Sequence, residues 1–215
     1  MTKNKQTLGR YVDINTDFGW KLYFGREENK ELLIQFLNEI LAGEKIIQDL
    51  QYIPPELDGK YPKDRRVIFD LHCKSQDGEL FIIEMQQIYQ DYFKDRALYY
   101  VSRLINNQVE KGESGDDYEL PEIYFIGVLE FPLKDTYKDD YFIDVGLMNK
   151  QNQESFYDKL SFKFIVLPHF RKKENELTNY FDQWLYILKH LSAMNEMSKF
   201  LDKRIFGRML HPIVC

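Results

Sequence analysis

With 215 residues, 44% of them hydrophobic and 30% charged, the chain is sized and composed like one large globular domain or at most two small ones. Two cysteines, Cys73 in an apolar run and Cys215 at the end, exclude a disulfide framework or a zinc ribbon, and neither a signal-peptide stretch nor a run of transmembrane length is present, so a cytoplasmic protein is expected. The formal net charge of −6 argues against broad nucleic-acid binding, which depends on basic surface that displaces counterions, so any such function must rest on local Lys and Arg clusters.

Asp17 and Lys21 come first, one turn apart at the start of the first helical region. They can serve a site, but an i, i+4 ion pair is the simpler reading. Leu32, Leu33, Phe36, Leu37, Ile40 and Leu41 then form one helical stripe, with Asn29 as the expected cap and Gly43 as the stop. A short strand is expected over Lys45 to Ile53, followed by a polar loop. Two further strands, Arg66 to Ser75 and Glu79 to Gln86, are joined by a turn at Gln76-Asp77-Gly78. A second helix is expected from about Gln90 to Val109, a loop over Lys111 to Tyr118, a buried strand over Glu122 to Phe131 and another over Leu160 to Leu167. A third helix carries Leu177, Phe181, Trp184, Leu185 and Leu188. This order predicts an α/β fold, a central mixed β-sheet with helices on its faces, formed by a single domain over 1–215.

The informative segment is the hairpin. Val67, Phe69, Leu71 and Cys73 are apolar at alternate positions, and so are Phe81, Ile83 and Met85, so odd residues should pair with odd across the two strands. A three-residue turn with Gly78 in the left-handed conformation pairs Ser75 with Glu79 and gives the same register. Asp70 then falls opposite Glu84, at a Cβ separation of roughly 5 Å, and Gln86 shares their face. Facing carboxylates destabilise a sheet unless a cation neutralises them, and two carboxylates, a backbone carbonyl such as that of Met85 and waters suit Mg²⁺. The alternative is that both acids face solvent, as charges on half-exposed strands often do.

Arg66-Val-Ile-Phe-Asp70 followed by Gly78-Glu-Leu-Phe-Ile-Ile-Glu84-Met-Gln86 resembles the nuclease core of the PD-(D/E)XK transposases, the recombination-promoting nuclease family. The likeness extends to Asp17-Phe-Gly-Trp-Lys21, to the segment from Asn29 to Asn38, to Phe93 through Tyr100, to the strand Ile123 to Phe131 and to Leu167-Pro-His169. It implies a restriction-endonuclease-like core and metal-dependent cleavage of DNA, with Mg²⁺ as cofactor and Mn²⁺ able to replace it. Catalytic residues would be Asp70, Glu84 and Gln86, and metal ligands Asp70, Glu84 and the Met85 carbonyl. DNA would be the partner, through Lys21, Arg66, Arg96 and Arg103, and a homodimer is compatible with the family. Gln86 stands where the family usually has Lys, so it can orient water or phosphate but carries no charge. Residues 170–215 are expected to form a helical extension shortened relative to the family. A catalytically silent relative that binds DNA or a protein partner is the competing expectation.

Other residues have plainer readings. Arg96, with Lys94 and Arg103, lies on the helix after the second strand, where a phosphate contact competes with a solvated face or an ion pair to Glu84. Lys63, Arg65 and Arg66 form one basic cluster and Arg171, Lys172 and Lys173 another; short basic runs are mostly solvated surface. His72 shares a face with Asp70, although an exposed or supporting role is expected of it. The four histidines and two cysteines show no zinc spacing, and no glycine-rich phosphate loop is present.

Overall fold

A computed structural model describes residues 11–57, 67–109, 119–133, 140–196, 199 and 201–210. Among them, α1 (Asp17–Phe24) and α2 (Lys30–Ile40) precede β1 (Leu50–Tyr52), β2 (Glu56–Leu57), β3 (Val67–Ile68), β4 (Leu71–Ser75) and β5 (Leu80–Gln86). Then come α3 (Phe93–Val109), β6 (Ile123–Leu129), β7 (Phe142–Met148), β8 (Ser155–Val166), α4 (Tyr180–His190) and the short α5 (Lys203–Phe206). Six strands form one sheet in the order β1-β4-β5-β6-β8-β7, while β2 and β3 make a separate ribbon. The three central strands, β5, β6 and β8, are parallel; β4 and β7 run antiparallel to their neighbours. The sheet is therefore mixed and flanked by helices, as expected.

Strand alternation divides the core into two layers. Odd-numbered Leu71, Cys73, Phe81 and Ile83, with Tyr124, Ile126 and Val128 of β6, pack against α1, α2, α4 and α5. Leu80 and Ile82, with Phe125, Phe162 and Phe164, face α3 through Phe93, Ala97, Val101 and Leu104. At Gly127 of β6 a methyl group would lie 3.0 Å from the Phe164 ring and 3.4 Å from that of Phe93. The missing side chain lets Phe93 seat the first turn of α3 close against the sheet, beside Glu84, which pairs with Gly127. No helix among the described residues is long and apolar enough to cross a membrane.

Four local expectations need correction. Asn29 does not cap α2 with its side chain; its amide donates instead to the Leu22 carbonyl at 3.0 Å, because a 3₁₀ turn over Glu27–Asn29 leads straight into the helix. The strand expected over Arg66 to Ser75 is broken: β3 pairs with β2, and Phe69 N–H donates to Pro55 O at 2.9 Å. Alternation holds only along an unbroken strand, so Val67 and Phe69 join the α3 layer while Leu71 and Cys73 face the other. Within the segment expected to be a polar loop, Glu56 and Leu57 form β2. The strand expected from Leu160 is the second half of β8, which starts at Ser155 and forms a hairpin with β7. Lys111 to Tyr118, Lys63, Arg65 and Arg66 lie outside the described residues.

One internal charge braces the far edge of the sheet. Lys163 of β8 is fully buried and donates to Glu44 at 2.6 Å and to Asp144 of β7 at 2.7 Å. Both partners remain about half exposed, so the desolvation cost falls mainly on the lysine.

Candidate active site

The hairpin has the register that its apolar alternation predicts. Leu71 pairs with Ile83, His72 with Ile82, Cys73 with Phe81 and Lys74 with Leu80. Gly78 has φ of +98° and donates to Ser75 O at 3.2 Å, and Ser75 N–H donates to Glu79 O at 2.9 Å. The next rung outward brings Asp70 opposite Glu84.

At that rung the backbone ladder gives way to side chains. The chain bends at Asp70, so β5 loses β4 as a partner beyond Ile83 while its pairing with β6 continues through Gln86. Asp70 N–H donates to Glu84 Oε1 at 3.1 Å, and Met85 N–H donates to Asp70 Oδ2 at 2.7 Å. Each carboxylate thus satisfies an amide that a continuous strand would have used. In an extended strand the N–H and C=O of one residue point the same way. The Met85 carbonyl is therefore directed toward the same gap as its N–H, beside Asp70.

Glu84 is 2% exposed, which removes the solvent-facing alternative. Burial pushes its pKa up, and the Asp70 charge pushes it further; the Asp70 amide, Arg96 and Gln86 pull the other way. Asp70 is also raised, chiefly by burial and opposed by the Met85 amide; Asp17 adds to the rise, while Lys21 and Arg96 reduce it. The charges of Asp17 and Lys21 on α1 thus act on Asp70. Asp17 and Lys21 also pair with each other at 2.7 Å, with both side chains largely exposed, which is the i, i+4 ion pair of the simpler reading.

A polar chain surrounds Glu84. Gln86 Nε2 lies 3.4 Å from Glu84 Oε2, and Gln90 Nε2 donates to Gln86 Oε1 at 3.0 Å. Arg96 of α3 donates to Gln90 Oε1 and brings its guanidinium to 3.8 Å from Glu84 Oε2. The rings of Phe93 and Tyr100 hold that guanidinium at 5.4 and 5.6 Å. Its Nη2 is buried without a hydrogen-bond partner, so a cationic donor stands beside the carboxylates with bonding capacity to spare.

A model of the PD-(D/E)XK nuclease family transposases matches residues 14–213. The chain belongs to that family. Comparison with curated proteins and with solved structures returns no significant match. PD-(D/E)XK nucleases generally use divalent metals, and the residues here fit such an ion. Facing carboxylates and a carbonyl are hard oxygen donors, and the burial and neighbouring negative charge that raise both acids are what a cation offsets. Among the described residues no group of three or more His, Cys, Asp or Glu gathers to hold a metal. Hard divalent cations commonly complete such a set with water.

Not every expected residue reaches the carboxylate pair. His72 is 4% exposed and turns into the α3 layer, where its ring meets Phe69 at 5.3 Å and Nδ1 lies 3.4 Å from Pro54 O; it is neither exposed nor at the carboxylates. Arg103 sits seven residues beyond Arg96 on α3, about 10 Å further along the helix axis. The sequence suggests no role at the site for Gln90, and Tyr100 reads there only as a core or rim aromatic in the apolar stripe of the second helix. Tyr100 is four residues after Arg96 and follows it around the helix, a spacing that could have flagged it. Gln90 contacts Gln86 across an irregular turn and leaves no periodic signal.

Proposed function

We propose that this PD-(D/E)XK transposase-family chain is a divalent-metal-dependent DNA endonuclease that hydrolyses phosphodiester bonds during transposition or recombination. The observation that carries the reading is buried Glu84 beside half-buried Asp70 at the break between β3 and β4, each carboxylate accepting an amide from the other segment. Asp70, Glu84 and the Met85 carbonyl would hold the ion, Mg²⁺ with Mn²⁺ able to substitute. Such an ion, when bound, lowers the pKa of a coordinated water and offsets charge developing on the phosphate.

The chain's own groups divide the remaining work. The Met85 and Asp70 amides fix the two carboxylates at the gap in the ladder. Gln86, held between Glu84 and Gln90, can orient a water or a phosphate oxygen but transfers no charge. The positive charge that Lys usually supplies in the family would come here from Arg96, beside the same Glu84 oxygen that Gln86 approaches. Lys21 of α1, whose charge acts on Asp70, would meet a neighbouring phosphate. The presence of Gln86 favours one other reading, a catalytically silent fold that binds DNA or a protein partner. A plasmid-nicking assay with and without Mg²⁺ separates them: metal-dependent nicking supports the enzyme, and intact plasmid with Mg²⁺ or Mn²⁺ supports the silent fold.

Arg96 gives a sharper expectation. Arg96→Ala should lower the cleavage rate by about 10²–10³-fold, the usual cost of removing one preorganised donor from a site of developing charge. Its side chain is a quarter exposed and its ion contact long, so the melting temperature should change by only a few degrees. A large loss of stability with cleavage per folded molecule unchanged would make Arg96 a structural brace instead.

A further inference from the structure

A second charged feature lies at the same end of the sheet. The segment Phe170–Asn175 and the last turn of α4 enclose an open cavity of about 700 Å³. Arg171, Lys173 and Lys189 bring three cations to its walls against one carboxylate, Glu174, which accepts from Tyr186 Oη at 3.0 Å. Lys172 is already committed: its ammonium donates to both oxygens of fully buried Asp182, at 2.7 and 2.8 Å. Lys189 donates to Phe170 O at 2.6 Å and is held below the ordinary lysine range, first by burial and then by the positive charge of Arg171. Like charges are thus held together on a firmly built loop, which an arriving anion would relieve, just as a cation would relieve Asp70 and Glu84.

The topology places this cavity relative to the carboxylates. Gln86, Leu129 and Val166 are level rungs of three adjacent parallel strands, so the end of β8 lies about 10 Å across the sheet from the end of β5. The chain leaves β8 there and reaches Arg171 through the turn Leu167–His169. Asn15 ties the other wall to the same end, donating to Glu130 beyond β6 and to Leu188 O, both at 2.7 Å; Lys189 is the next residue.

We infer that the cavity lined by Arg171, Lys173 and Lys189 is a second phosphate-binding subsite, one that holds the DNA backbone to one side of the cleavage position. The inference rests on the nuclease reading and names how a chain of net charge −6 grips a polyanion: by concentrating cations where the backbone passes. Phosphates recur every 3.4 Å of helix axis along each strand. A duplex with one phosphate at Glu84 therefore presents others across this span.

The test compares two doubly reversed variants with the wild type. Arg171→Glu/Lys173→Glu acts at the cavity, where both side chains are exposed. Lys74→Glu/Lys150→Glu acts at the opposite end of the sheet, also on exposed residues. Each reversal removes two units of charge, so both variants go from −6 to −10. Binding of a short labelled DNA duplex is read by fluorescence anisotropy over a salt series, with Ca²⁺ in place of Mg²⁺. The cavity variant should bind about tenfold or more weakly, and its plot of log affinity against log salt should be shallower by about 1–2, the slope of two lost phosphate contacts. The control should keep the wild-type slope. Equal losses in both variants, or a wild-type slope in the cavity variant, would overturn the subsite while leaving the nuclease reading intact. A wild type that binds no duplex at low salt would overturn both.

Discussion

Asp70→Asn is expected to abolish plasmid nicking and, with it, the rise in melting temperature that bound Mg²⁺ would produce in the wild type. An ion that binds only the folded chain should stabilise it by about 1–3 kcal/mol at saturation, worth several degrees for a chain of this size. Asparagine retains an oxygen to accept from the Met85 amide but not the charge. Without metal the substitution should therefore be neutral or slightly stabilising, because one of two repelling carboxylates has gone. The pH dependence gives an independent check. Both acids are raised in the fold, so the native state keeps protons that the unfolded chain releases. In the absence of metal, that contribution is fully present below the ordinary carboxylate value of about 4 and is lost as pH rises toward the folded values. Melting temperature in EDTA should then gain from mild acidity through this pair, and Glu84→Gln should flatten that part of the profile. A wild-type melting curve unmoved by millimolar Mg²⁺ or Mn²⁺, together with intact plasmid, would remove the metal centre.

Asp182→Ala should be the most destabilising of the single changes considered. Asp182 is fully buried and accepts from Lys172 twice and from both the amide and hydroxyl of Thr178, each at 3.0 Å. Removing it leaves an ammonium and an amide without their acceptor, at about 3–5 kcal/mol, or on the order of 10 °C in melting temperature. Its own titration runs opposite to that of the active-site pair. Burial alone would raise its pKa, but Lys172 and Thr178 outweigh burial and hold it below the usual carboxylate range. Its contribution is therefore present above pH of about 4 and disappears in stronger acid. Calorimetry of Asp182→Ala at neutral pH measures the cost; a loss under about 1 kcal/mol would show that Lys172 and Thr178 find water instead. Since Asp182 anchors the loop that carries Arg171 and Lys173, DNA affinity should fall along with stability.

The sequence made the site more legible than the chain around it. Apolar alternation in β5 and β4, together with Gly78 in the turn, determined which residues face each other, because a slip of one residue would have turned Phe81, Ile83 and Cys73 out of the core. The stripes of α2 and α4 were equally readable, since each buries one face. The break at Phe69–Asp70 was not, because Val67-Ile-Phe reads as a continuation of the strand while its amides go to Pro55 and to β2. The edge strand β7 was hidden for a different reason. Val145, Leu147 and Met148 are exposed, and Asp144 and Gly146 interrupt the pattern that burial would impose. Arg96 could be assigned to a helix, with an ion pair to Glu84 among its readings; the close seat of Phe93 against Gly127 is a property of packing that no spacing reveals.

The ladder break also turns one peptide group into a reporter. Beyond Ile83 the amide of Met85 is held not by another strand but by a single carboxylate, so it can be released by a rotation of Asp70 while the sheet stays intact. Neighbouring amides in β5 need a far larger opening before solvent reaches their hydrogens. In deuterium exchange followed by NMR, the Met85 proton should exchange orders of magnitude faster than that of Ile83, and Asp70→Ala should accelerate it further without changing the rest of the strand. The hydrogen on one backbone nitrogen would thus record how firmly the site is assembled, with neither substrate nor ion present.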